Sequence, residues 1–189
     1  MVPPVKSSRF TLLPIVALIL SGAAGLIYQS VWGRMLHLVF GVGDQAIATV
    51  LASFFLGLSL GSFLGGKLAR RIASPAAAYA LLEVFIASWA ILSIFLIPQI
   101  HGVYAAFSEG VGVGGLTAIR LALSLIILLP PTIAMGATLP VLMRSETPEG
   151  IPWPALANRL YLANTLGAVL GAGLSGFYLL PIFGSRVSL

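Results

Sequence analysis

The sequence predicts an all-α integral membrane protein, a five-helix bundle forming a single polytopic domain over residues 1–189, and three observations predict it. Of the 189 residues, 59% are hydrophobic and only 8% charged, with a mean hydropathy of +1.06, whereas soluble domains carry about a quarter charged residues. The apolar residues gather into five stretches, each long enough to cross a hydrocarbon core of about 30 Å, which takes roughly 20 residues. Glycine also recurs at four-residue steps inside two of them, at Gly57, Gly61 and Gly65 and at Gly167 and Gly171. In lipid, helices gain nothing by hiding apolar surface from each other, so association rests on the close backbone approach that such a stripe allows.

The first span is placed at 11–32. Lys6 and Arg9, the apolar run after them and the small residues Ser21, Gly22 and Ala23 also fit a cleavable signal peptide. Hydrophobicity continues through Leu26, Ile27 and Val31 to Trp32, however, giving a full span closed by an interfacial aromatic. The second span, 45–68, carries the first glycine stripe and ends at Lys67, Arg70 and Arg71. The third, 76–100, contains Glu83. The fourth, 116–143, holds Pro130, Pro131, Gly136 and Pro140. Each proline removes a helical hydrogen bond, so this helix should kink or break at mid-membrane. It is either a broken helix lining a polar cavity or a packing kink satisfied by Thr132. The fifth, 155–183, steps through Ala163, Gly167, Gly171 and Ser175. Short connections predict that successive helices are antiparallel and packed side by side. The glycine faces of helices two and five either close inside the bundle or meet a second copy or another membrane half.

Ten basic and five acidic residues give a net charge of +5 and a pI near 10.1. The basic residues sit at helix ends, not on a stripe with interleaved aromatics, which argues against a nucleic-acid partner. Lys6, Arg9, Lys67, Arg70, Arg71, Arg144 and Arg159 all fall on one side of the membrane, the cytoplasmic side if the amino terminus is cytoplasmic; Arg34 and Arg186 fall on the other. Cysteine is absent, which excludes disulfides, thiolate chemistry and Cys-based zinc sites. His37 and His101 stand alone in expected external loops, and the run 110–115 reads as a glycine-rich loop. No set of nucleophile, base and orienting group can be assembled, so no catalytic, cofactor or metal site is expected.

A charge at the bilayer centre costs at least about 2.5–3.5 kcal/mol, so Glu83 and Arg120 call for partners. Glu83 lies about 10 Å inside one face at 1.5 Å per residue. Asn164 has a similar depth, with Tyr161 and Arg159 just outward, so the expected cluster is Glu83, Asn164, Tyr161 and Arg159. Arg120 lies near the opposite face, level with Gln29 and Arg34, too far in depth to pair with Glu83. These two belts are either a polar binding pathway or hydrogen-bonded layers that set helix register.

Ser21-Gly22-Ala23-Ala24-Gly25-Leu26-Ile27-Tyr28-Gln29 with Trp32 and Arg34, then Gly57-Leu58-Ser59-Leu60-Gly61-Ser62 and Gly65-Gly66-Lys67-Leu68-Ala69, then Met135-Gly136-Ala137-Thr138-Leu139-Pro140 and Leu160-Tyr161 with Asn164-Thr165-Leu166-Gly167-Ala168, resemble in order the amino-terminal membrane domain of the bacterial fused major-facilitator-like/spermidine synthase-like proteins. The resemblance implies one half of a major facilitator transporter, a six-helix unit of which five helices fall in this chain, in a bacterial inner membrane. It also implies a soluble aminopropyltransferase-like catalytic domain as partner, absent from these residues. One departure is Arg70, where facilitator-type transporters tend to place an acidic residue. The implied function is a non-catalytic anchor and amine- or small-solute-binding bundle; the alternatives are a half-size facilitator-type transporter working as a dimer through helices two and five, and a structural subunit of a membrane complex.

Overall fold

The computed structural model describes residues 12–41, 43–145 and 152–189; Lys6, Arg9 and the expected start of the first span at position 11 lie outside them. The described residues form α1 (Leu12–Phe40), α2 (Asp44–Leu68) closed by a 3-10 turn (Ala69–Arg71), α3 (Pro75–Ser108), α4 (Val113–Ser145), α5 (Trp153–Leu174), a π turn (Ser175–Leu179) and α6 (Leu180–Val187). Five helices are long and apolar enough to cross a membrane, the fifth being α5 continued through the π turn and α6. The chain is a multi-pass helical protein.

Two closely apposed pairs build the bundle: α2 lies along α4, and α5 along α1. Small residues select both. A Cβ on Gly57 would collide with the Thr132 side chain, one on Gly61 with the Ile133 carbonyl and one on Gly65 with Ala137; on the other pair, Gly167 meets the Ile19 carbonyl and Gly171 that of Ala23. The fit is reciprocal, since Gly136 of α4 abuts Leu58 and Gly22 of α1 abuts Asn164. Residue numbers rise together along each contact, so the partners are parallel. Both glycine faces are therefore filled inside the chain.

The expected side-by-side packing of successive helices holds for α3 and α4 but is corrected for the other neighbours. α1 and α2 are antiparallel but barely meet, as are α4 and α5. The small-residue stripes outweigh chain proximity, because only they permit backbone contact. α3 packs antiparallel on α4 and is tied to α1 by hydrogen bonds: Tyr79 Oη donates to the Ala17 carbonyl at 3.2 Å, Ser21 Oγ to Glu83 Oε1 at 2.6 Å, and Trp32 Nε1 to Ser93 Oγ at 2.8 Å. Both α1 and α3 run about two turns beyond the stretches expected from hydropathy. His37 and His101 are consequently helical rather than in loops, and Trp32 is no interfacial anchor: it is 0% exposed, within an apolar cluster that includes Leu36, Phe40, Val50, Phe54, Ile97 and Leu128. A second cluster, around Leu18, Leu142, Leu156 and Leu160, closes the opposite end.

α4 runs unbroken through Pro130, Pro131 and Pro140, contrary to a break at mid-membrane. A proline at position i leaves the carbonyl at i−4 without its helical donor. Pro131 thus orphans the Ile127 carbonyl, which receives Trp89 Nε1 from α3 at 2.9 Å; Pro140 orphans the Gly136 carbonyl, which receives Ser62 Oγ from α2 at 3.0 Å. The Thr132 hydroxyl is turned onto Leu128 and Leu129 of its own helix, at 2.6 and 3.2 Å. Neighbouring helices thus supply donors to two of the carbonyls that the prolines free, and the helix stays continuous.

Two outcomes test this packing. Gly61→Leu should destabilise the folded monomer by on the order of 3 kcal/mol through overpacking against backbone, without altering oligomeric mass, while Gly66→Leu, which meets open space, should be neutral; denaturant unfolding with light scattering reads both. Trp89→Phe should cost about 1–3 kcal/mol by stranding the Ile127 carbonyl, and a double-mutant cycle with Pro131→Ala should show much of that cost removed, because the second substitution restores a backbone N–H.

Candidate functional site

Glu83 sits in the ninth position of α3, about 12 Å along the helix at 1.5 Å per residue. Its carboxylate accepts the Ser21 hydroxyl of α1 at 2.6 Å, and the hydroxyl of Tyr79, one turn earlier on α3, lies within interaction range of both side chains. Tyr28, two turns beyond Ser21 on α1, also feels the Glu83 charge and stacks on Trp32 with ring centroids 5.4 Å apart. The carboxylate therefore faces hydroxyl groups and aromatic rings. Among the described residues no cation pairs with it.

Ser21 connects this group to a cavity of about 90 Å³ in the seam between the two helix pairs. All four helices wall it: Ser21 and Gly22, Phe54 and Leu58, Met135 and Thr138, Asn164 and Ala168. The tight pairs touch each other far less than their members touch within a pair, which leaves this space between the apolar clusters. A water needs at least about 10–15 Å³ of such volume, so the cavity accommodates a few waters or a small polar head group. Thr138 directs its hydroxyl to the Met135 carbonyl at 2.7 Å. The Asn164 side chain has no hydrogen-bond partner among the described residues, so its amide is available to whatever enters. Ser21 lies level with Glu83, about 12 Å along α3 at 1.5 Å per residue.

The expected cluster is thus redistributed. Glu83 and Asn164 approach a common region through Ser21, whereas Tyr161, 63% exposed, and the exposed Arg159 lie on the outer face of α5. The α5 face that carries Gly167 and Gly171 is committed to α1, and helical phase turns Tyr161 away from it. Ser21, Tyr79, Tyr28 and Thr138 belong to the region, and the sequence did not place them in a polar cluster. Their signal was small: hydroxyl groups at a depth matching Glu83, on helices whose adjacency no local pattern reveals.

Arg120 is separate, as its depth predicted. Its Nε donates to Tyr104 Oη and its Nη2 to the Phe40 carbonyl, both at 3.1 Å, and the guanidinium lies 5.8 Å from the Tyr104 ring centroid. Phe40 ends α1, where carbonyls lack helical donors and a cation is favoured; Arg120 therefore ties the far ends of α1, α3 and α4 together. Gln29 and Arg34 are not its partners. They line a groove of about 280 Å³ with His37 and Leu180. Among the described residues no group of three or more His, Cys, Asp or Glu is placed to hold a metal.

Set against known protein families, curated proteins and solved structures, the chain matches none of them.

Arg120→Met should lower stability by about 2 kcal/mol, as expected for charged hydrogen bonds lost from a helix end. Arg120→Lys should recover only part, because an ammonium lacks the fork that reaches both oxygens. Thermal unfolding in detergent measures the series.

Proposed function

We propose that this chain is a non-catalytic transmembrane module of the spermidine synthase-like kind, an anchor whose bundle binds the ammonium group of a small amine. The observation that carries the reading is Glu83: a carboxylate inside a membrane-spanning helix, held by Ser21 and flanked by Tyr79, with no cation beside it among the described residues. A carboxylate at such depth is costly without a counter-charge, and an ammonium supplies one together with three donors. The Asn164 amide across the cavity offers a second polar contact. The ordered motifs from Ser21 to Ala168 support the family assignment by resemblance, and with it a soluble aminopropyltransferase-like partner and a bacterial inner-membrane location. The clustering of Lys67, Arg70, Arg71, Arg144 and Arg159 at one end of the bundle supports a cytoplasmic amino terminus.

A second reading is a half-size facilitator-type transporter. The weak seam between two tight pairs, with a cavity within it, supports this one, because two rigid units can rock about a central site. A dimer through helices two and five would then use their outer faces, around Phe55 and Phe63 and around Val169 and Leu170, all exposed.

Calorimetric titration of the purified chain with putrescine and spermidine tests the first reading. Binding is expected in the wild type and at least ten-fold weaker in Glu83→Gln, the size of a lost charge-assisted hydrogen bond; absence of amine binding in the wild type would overturn it. Uptake of labelled amine into proteoliposomes, abolished by the same substitution, would select the transporter.

A further inference from the structure

α2 and α3 both rest on α4 but hardly touch each other, so a groove runs between them with α4 as its floor. It holds about 460 Å³ and is lined by apolar residues alone, with Leu68, Ile72 and Ala78 near one end, Ala137 on the floor, and Phe85 and Pro130 at the other end. Along α4 the lining extends from Pro130 to Val141, about 16 Å at 1.5 Å per residue. That is close to half of a 30 Å hydrocarbon core, the depth of one leaflet. That depth and the wholly apolar lining suit one acyl chain lying along α4.

The Leu68 and Ile72 end is also the basic end. Arg70 and Arg71 are exposed in the 3-10 turn that joins those two residues, with Arg71 three positions beyond Leu68 and so on the stripe facing the groove. Neither arginine has an ion-pair or hydrogen-bond partner among the described residues. Lys67 is turned away onto the Phe63 ring, 4.0 Å from its centroid. The turn thus places the free Arg71 guanidinium on the groove side of its mouth, with the free Arg70 guanidinium beside it on the same turn, both suited to phosphate oxygens.

We propose that this groove is a binding site for an anionic phospholipid, with one acyl chain between α2 and α3 and the phosphate on Arg70 and Arg71. The site lies apart from Glu83 and the central cavity and holds whether or not an amine binds there.

The test uses the full chain, delipidated in mild detergent and offered phosphatidylglycerol and phosphatidylcholine of identical acyl chains in equal amounts, with bound lipid counted by native mass spectrometry. Phosphatidylglycerol should be retained in preference, and the preference should fall about five-fold for each arginine removed in Arg70→Gln and Arg71→Gln. Ala78→Trp, which obstructs the mouth, should reduce retention of both lipids, with thermal unfolding confirming the fold. Equal retention of the two lipids by the wild type, or an unchanged preference in the double arginine variant, would overturn the proposal. So would a chain of doubled mass that carries no lipid, since a second copy would then fill the groove.

Discussion

Inside a hydrocarbon core a main-chain carbonyl cannot turn to water, so one that loses its helical donor is stabilised by a side-chain donor from elsewhere in the protein. α4 makes that requirement visible. Pro131 and Pro140 each release a carbonyl, and each released carbonyl is met by a side chain from a different neighbour, Trp89 on α3 and Ser62 on α2. These contacts fix where α2 and α3 sit along α4. The prolines therefore specify register more than flexibility. A helix expected to kink or break at mid-membrane stays continuous, and its neighbours arrive with donors.

Two kinds of seam follow from the same constraint. Where small residues align, backbones meet and dispersion holds them, as between α2 and α4 and between α1 and α5. Where they do not, side-chain hydrogen bonds span the gap, as between α1 and α3, whose bonded partners lie 61 or 62 residues apart. The near-constant offset reflects two parallel helices moving in step. The glycine seams give tightness and the polar seam gives alignment. The central cavity lies where neither kind of contact closes the gap between pairs.

Much of the fold was legible in the sequence. The second span, expected at 45–68, is Asp44–Leu68, because glycine spacing and the basic terminus mark both its face and its end. The position of Arg120 away from Glu83 followed from depth alone. α1 and α3 were cut short at Trp32 and Ile100 because hydropathy registers membrane thickness, whereas a helix stops where its last carbonyls are satisfied; for α1 that is Phe40, capped by Arg120. The surroundings of Glu83 were only half legible. Residue type and depth pointed to Asn164, but Ser21 became a partner through the α1 and α3 register, a tertiary fact. Proline spacing tells which carbonyls need donors, and only the packed bundle tells which side chains supply them.

The pairing of the first helix with the fifth has a consequence for how the chain is made. Synthesis delivers the amino terminus first, so α1 enters the membrane long before the partner that matches Gly22 and receives Gly167. α2 waits less, since α4 follows after one intervening helix. During that interval the nearest hold on α1 is α3, through Ser21 to Glu83 and Trp32 to Ser93. The same carboxylate that marks the polar centre of the bundle is thus also a contact that can hold α1 against α3 before α5 is made.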